Sequence, residues 1–262
     1  MAINVDTVYK TVLLILNKEQ RGYMTPQEFN SIGTQVQLEI FEKYFEDLNQ
    51  DLRVPQTDID YSDRVENLDE KIAIFKTFGT ADYNYSPVKS YFTLPIADAY
   101  NTTVNGILPT FYRLGSVVYT DVYGRQVELD RLQRNEYYNI QSSALTASTK
   151  AFPTYLYENQ RLFVSPSTII DNIGVNYIRK PLDVIWGFVL GNRGQYIYNP
   201  NPWVYTPSPP YSTGSINFEL HGSEQTHVIM RILMYAGVVV NDPQVVQVAA
   251  QQVQAEQINS KS

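Results

Sequence analysis

The sequence predicts an α+β protein in which N- and C-terminal helices form one helical bundle, with an antiparallel β-domain inserted between them. Three observations predict it. Apolar residues recur at helical spacing near the N-terminus, alternate with period two from about Tyr85 to Leu220, and return to helical spacing after His221. A β-domain bracketed by helices places the two helical parts together around a shared core. The expected parts are an N-terminal helical part at 1–82, a β-domain at 85–220 with a Pro/Tyr-rich arm at 194–214, and C-terminal helices at 221–262 packing on the first part.

Val5, Val8, Tyr9, Val12, Ile15 and Leu16 share one face of a first helix. After Arg21-Gly22-Tyr23-Met24, the run Thr25-Pro26-Gln27-Glu28 announces a second. Thr25 can cap the free amides, Pro26 suits the first helical position, and Glu28 can close a capping box. Phe29, Ile32, Val36, Ile40, Phe41, Tyr44 and Leu48 form its apolar stripe. A third, short helix is expected from Ser62, with Val65, Leu68, Ile72 and Phe75 facing inward.

Val117–Asp121 and Gln126–Asp130, joined through Tyr123-Gly124, read as a hairpin, as do Thr154–Tyr157 and Arg161–Ser165 around Glu158-Asn159. Arg131 to Gln141 reads as one short helix between them. Ile173, Val175 and Tyr177 alternate in a further strand that Pro181 stops. Ser223 is the expected cap of a helix carrying Val228, Ile229, Ile232, Ala236 and Val239. Asn241-Asp242-Pro243 then restarts the chain into a last helix. There Gln244, Gln247, Gln251 and Gln254 form an uncharged polar stripe opposite Val246, Ala249 and Val253.

At 262 residues, 44% apolar and 18% charged, the chain has globular composition and enough length for a sizeable core. Its 21 Tyr and 14 Pro are unusual. Tyrosine joins an apolar ring to a hydrogen-bonding tip, which suits surfaces buried on assembly and equally the core of a β-domain. The absence of cysteine excludes disulfides, thiolate metal sites and cysteine nucleophiles. The longest apolar run, Ile232 to Val240, is far shorter than the ~20 residues that span a bilayer, and no secretory signal is visible. The expectation is a protein made and assembled in the cytoplasm, without a membrane partner.

The net charge of −7 is unevenly placed: residues 1–82 hold 8 Lys/Arg against 15 Asp/Glu, and residues 83–262 hold 12 against 12. Gripping a phosphate backbone needs a cationic face, and none is visible; an acidic surface past which DNA slides remains open.

No pattern asks for an enzyme, a metal or a cofactor. His221 and His227 are six apart, on different sides of a helix, where paired zinc ligands want four. Asp47, Asn49 and Asp51 imitate the start of a calcium loop, but Leu52 stands at the glycine position, Asp58 replaces the glutamate and Pro55 falls inside. Gly191-Asn-Arg-Gly194 lacks the Lys-Ser/Thr of a phosphate loop. The many carboxylates of the first 82 residues suit solvated helix faces.

The stretch Gly194 to Gly214 contains four Tyr, one Trp and five Pro, and no charged residue. Tyr196-Ile-Tyr198 and Trp203-Val-Tyr205 flank Asn199-Pro-Asn-Pro202 and are expected to pair as a hairpin, each strand presenting both of its rings on one face. Thr206 to Pro210 favours extended backbone without a full hydrogen-bond ladder. Rigid aromatics favour subunit contacts. Tyr196, Tyr198, Trp203, Tyr205 and Tyr211, with the glutamine stripe, are therefore the candidate interface residues, the competing reading being a loop folded back on its own domain.

Several stretches, in order, resemble a known group of proteins: Arg21–Asn30 (RGYMTPQEFN), Leu108–Gly115 (LPTFYRLG), Phe152–Leu156 (FPTYL), Tyr177–Pro181 (YIRKP), Asn217–Glu224 (NFELHGSE) and Ala236–Pro243 (AGVVVNDP). Together they resemble neck and tail ring proteins of tailed bacteriophages, the head-to-tail adaptor or tail tubular proteins, especially of the short-tailed crAss-like phages. The resemblance covers most of the chain outside 190–215. It implies a non-enzymatic virion protein, assembled in the host bacterium as a twelve-fold ring. Its implied partners are identical subunits, the portal protein, adjacent neck or tail rings, and double-stranded DNA passing through without specific binding. A ring of this kind needs two different, matching patches on each subunit. The alternative is a tail module that binds carbohydrate or a receptor, stacking sugars on Trp203 and the tyrosines; a cell-wall hydrolase is a third reading.

Overall fold

The structure of the protein is a computed structural model, with helices near both ends of the described chain and strands between them. It describes residues 2–18, 23–51, 59–94, 111–201, 204–205, 212–239, 251 and 254. In chain order the elements begin with α1 (Val5–Lys18), α2 (Pro26–Asp51), α3 (Ile59–Ala73), β1 (Lys76–Thr80), β2 (Asp82–Asn84), β3 (Tyr91–Thr93), β4 (Phe111–Thr120), β5 (Gln126–Glu128) and β6 (Asp130–Leu132). They continue with α4 (Arg134–Ser142), β7 (Thr154–Glu158), β8 (Arg161–Ser165), β9 (Ile173–Arg179), β10 (Phe188–Leu190), β11 (Tyr196–Tyr198), β12 (Val204–Tyr205), β13 (Ser212–Thr213), a 3₁₀ turn at Gly222–Glu224, and α5 (Gln225–Val239). The fold is mixed α+β.

The chain divides into two compact units, residues 75–180 and residues 1–74 with 181–262. The boundaries expected at 82, 85 and 220 are thus replaced. The reason lies in the segment after Pro181. Leu182, Val184, Trp186, Ile216, Phe218 and Leu220 are all buried, and they belong to the unit that holds the helices.

In that helical unit, α2 starts as its residues dictate. The Thr25 N–H donates to Glu28 Oε2 at 2.8 Å, and the Glu28 N–H donates to Thr25 Oγ1 at 3.3 Å. Phe29, Val36, Ile40 and Phe41 of α2 are buried, as are Val5, Val8, Val12 and Leu16 of α1 and Val228, Ile232 and Ala236 of α5. The third helix begins at Ile59, ahead of Ser62; Ile72 is buried and Val65 and Leu68 are half-buried, while Phe75, also buried, lies beyond the helix end at Ala73 and belongs to the β unit. Ser223 does not cap α5. It lies inside the 3₁₀ turn, whose cap is His221; the ring Nδ1 accepts from the Ser223 N–H at 3.3 Å.

A polar row on α2 fastens the returning chain. Asn30 Oδ1 accepts from the Trp186 N–H (2.7 Å), Thr34 Oγ1 from the Val184 N–H (3.0 Å), and Gln37 Nε2 donates to the Leu182 carbonyl (2.6 Å). Helix positions one turn apart advance about 5–6 Å and alternate strand residues about 6.6 Å, so the two ladders stay in step for three rungs. Gln37, fully buried, also accepts from the Glu219 N–H at 2.8 Å.

Among the described residues the β unit has two sheets, ordered β1-β9-β4-β5 and β2-β3-β8-β7-β6. Phe92, Val117, Tyr119, Tyr155, Leu162, Ile173, Val175 and Tyr177 fill its core. Both expected hairpins form, β4 with β5 and β7 with β8. Asn159 (φ 49°) and Gln160 (φ 56°) take the left-handed conformation that matches a two-residue turn to strand twist. The expected all-antiparallel sheet is corrected at one pair: β6 and β7 run parallel. The short helix α4 lies between them and returns the chain in the same direction. It starts at Arg134, later than expected, and its Gln133 and Glu136 make a capping box.

Candidate functional site

The aromatic arm is the strongest candidate site in the sequence, and its pairing differs from the expectation. Tyr196–Tyr198 does not pair with Val204–Tyr205. Strand β11 pairs with β10, in the register Phe188↔Tyr198, Val189↔Ile197 and Leu190↔Tyr196, while β12 pairs with β13. Two physical causes account for this. Pro200 and Pro202 have no N–H for a ladder across the expected turn. Gly191-Asn-Arg-Gly194 supplies a better one: the Gly194 N–H donates to the Gly191 carbonyl (2.9 Å), the Gly191 N–H to the Gln195 carbonyl (2.8 Å), and Gly194 sits at φ 76°.

The hairpin β10–β11 has two apolar faces. On the inner face Trp186 stacks on Phe188 (centroids 6.1 Å apart) and on Tyr198 (5.6 Å), and Tyr196 meets Phe188 edge-on at 4.8 Å. Tyr9 of α1 lies 4.5 Å from Trp186, whose indole N–H donates to Asp6 Oδ1 at 3.1 Å. The Tyr9 phenol is raised, first by burial and then by Tyr23. Directly paired residues share a face, so Val189 and Ile197 project together from the opposite side, 57% and 49% exposed. Leu190 at the turn end is 63% exposed.

Of the candidate interface residues, Tyr196 and Tyr198 therefore fold partly back on their own unit, Tyr196 remaining 40% exposed. The backbone of Tyr205 lies in β12. Gln251 and Gln254 are helical and exposed. Trp203, Tyr211, Gln244 and Gln247 lie outside the described residues. Phe188, Val189, Leu190 and Ile197 were missed as partners of the arm, although the Phe-Val-Leu run ahead of Gly191 is a strand signal.

A second cluster joins α2, α3 and α5. Glu224 Oε1 accepts from Lys71 Nζ at 2.6 Å, and its Oε2 lies 3.4 Å from His227 Nδ1. His227 Nε2 accepts from Arg231 Nε at 2.8 Å; Arg231 Nη1 reaches Glu39 at 3.0 Å, and the Tyr235 hydroxyl donates to Glu39. Burial pushes the Glu224 carboxyl up, but hydrogen bonds from His227 and Lys71 and the Lys71 charge outweigh it and hold it at about 2. Burial, then the charge of Glu224, raises the Tyr44 phenol. Each charge has its counter-charge within the cluster, which makes it a fastener between helices. Asp47 and Asp51 belong to the last turns of α2, so they do not form a calcium loop. Among the described residues no three potential ligands gather around a metal position, and no helix is long and apolar enough to cross a membrane.

No protein-family model matches the chain, and no curated protein matches it.

Proposed function

We propose that this protein is a virion structural protein forming a ring in the portal-to-tail connector of a tailed bacteriophage. It joins head to tail and leaves a central channel for DNA. We read the N- and C-terminal helices as one bundle carrying an inserted β-domain. The partners in this reading are identical subunits, twelve in a ring, the portal protein, and the neighbouring neck or tail rings. Double-stranded DNA passes through without specific binding, and the protein acts without catalysis.

The observation that carries the reading is the outer face of the β10–β11 hairpin. Val189 and Ile197, directly paired, form an exposed apolar surface on the two-stranded element, anchored behind by Trp186. Contiguous exposed apolar surface marks a face that another protein covers. The ordered sequence stretches that resemble the neck and tail ring proteins specify which kind of assembly.

Particles produced without the gene test it. The expected result is heads that fail to retain DNA or to join tails, with complementation by the full chain. Filled heads carrying tails in its absence, or turnover of a substrate by the purified chain, would overturn the proposal.

A further inference from the structure

Charge divides along the same line as the fold. Residues 75–180 contain 10 Lys/Arg against 8 Asp/Glu, and the remaining residues 10 against 19, so the units carry formal charges of +2 and −9. On the β unit, cations gather with rings on one side of the β3-β8-β7 sheet. Lys89 Nζ lies 4.1 Å from the centroid of Phe163 and 5.1 Å from those of Tyr137 and Tyr138, and bonds the Tyr138 hydroxyl at 3.2 Å. The Arg161 guanidinium lies 4.2 Å over Tyr91, whose ring meets Phe163 at 6.2 Å. Beside them Val88 and Tyr85 are 94% and 79% exposed, and Tyr138 is 54% exposed.

We propose that this cation–aromatic face docks the acidic outer surface of α2 and α3 on a second copy of the chain. The inference rests on the ring reading and names the two patches that the ring requires. Glu42 and Glu46 on α2, and Glu66 and Glu70 on α3, are exposed pairs four residues apart, each pair on one face of its helix. Rings hold Lys89 and Arg161 in place, so the cations lose little freedom when carboxylates meet them. A guanidinium accepts a carboxylate through two parallel hydrogen bonds. Nucleic acid is the poorer occupant: a net charge of +2 and the Glu158–Arg134 pair (2.6 Å) within the same face offer few cations to phosphates. The two patches differ, so the contact is head-to-tail and can close into a ring.

The test combines two readouts on the full chain. Equal amounts of ¹⁴N- and ¹⁵N-labelled protein are treated with a zero-length carbodiimide at about 50 mM and about 500 mM salt. Lys89 is expected to join Glu66, Glu70, Glu42 or Glu46 across isotopes, with yield falling at high salt. K89E/R161E and E66K/E70K should each lower self-association about tenfold, and an equimolar mixture of the two should restore it. K89Q/R161Q and E66Q/E70Q repeat the measurement should a reversal unfold the chain, with circular dichroism as control. Intermolecular products that map elsewhere, together with unchanged association of the variants, overturn this contact and leave the ring standing. Complete absence of intermolecular products at any site overturns the ring reading itself. Oligonucleotide binding that K89Q/R161Q abolishes overturns the contact in favour of nucleic acid.

Discussion

Lys71 and Glu224 meet through a 2.6 Å ion pair that joins the C-terminal half of α3 to the turn preceding α5. Its partners hold the Glu224 carboxyl at about 2 in the folded chain, below the ordinary 4.5. The unfolded chain therefore takes up the proton first as pH falls. The stabilisation is fully present above about pH 5 and is lost as pH drops toward 2. E224Q is expected to cost about 1–3 kcal/mol at neutral pH, after allowance for solvent screening, and to flatten the pH dependence in that window. Urea titrations of both proteins at pH 7, 4 and 3 check this; parallel slopes would count against it.

Gln37 satisfies two backbone groups from one buried side chain, the Leu182 carbonyl and the Glu219 N–H. Q37L keeps the volume and removes both bonds, leaving two buried polar groups unpaired. The expected loss is about 2–4 kcal/mol, read as a lower denaturant midpoint with an unchanged slope. N30A, at a half-buried rung of the same ladder, should cost about 1 kcal/mol.

Gly187 is required by a close approach. A Cβ there would stand 1.9 Å from the Gly214 carbonyl oxygen, a backbone atom that no rotamer change can move. G187A should therefore displace the junction between Trp186 and Ser215 and destabilise the protein by more than about 2 kcal/mol. Because Trp186 is buried, its fluorescence should shift to the red in this variant under conditions where the wild type is unchanged.

Val189 and Ile197 make the opposite prediction. V189S/I197S removes exposed apolar surface, so unfolding should move by less than about 0.5 kcal/mol. Incorporation of the chain into particles should fall severalfold, measured by quantifying the protein in virions from a complemented deletion strain. Normal incorporation would remove the hairpin from the set of contact surfaces.

The residue patterns showed the local elements better than their companions. Capping at Thr25 and Glu28 was legible because both partners lie within one turn, and the β7–β8 hairpin because its strands are neighbours in the chain. The arm was misread at longer range. Tyr196–Tyr198 has an apolar run on each side, and period-two alternation cannot choose between them; a left-handed glycine at 194 and the missing N–H groups of Pro200 and Pro202 decide it. The parallel β6–β7 pair was hidden because its cause is the direction in which a short helix returns the chain. The assignment of 181–220 failed similarly. Its strand pattern is genuine, but Asn30, Thr34 and Gln37 on a helix 150 residues away supply its partners. The Lys89–Phe163 contact brings together residues whose chemistry gives no hint of adjacency before the sheet forms.

The chain leaves the helical unit at Ile74 and comes back at Pro181. At that junction the Arg179 N–H donates to the Phe75 carbonyl at 3.0 Å, and Lys76 sits opposite Ile178. The two crossings are thus side by side, about 5 Å apart as neighbouring antiparallel strands are. A few glycines could bridge the gap, so the whole sheet module is a cassette that recombination could replace, enlarge or delete while the helices keep their own connectivity.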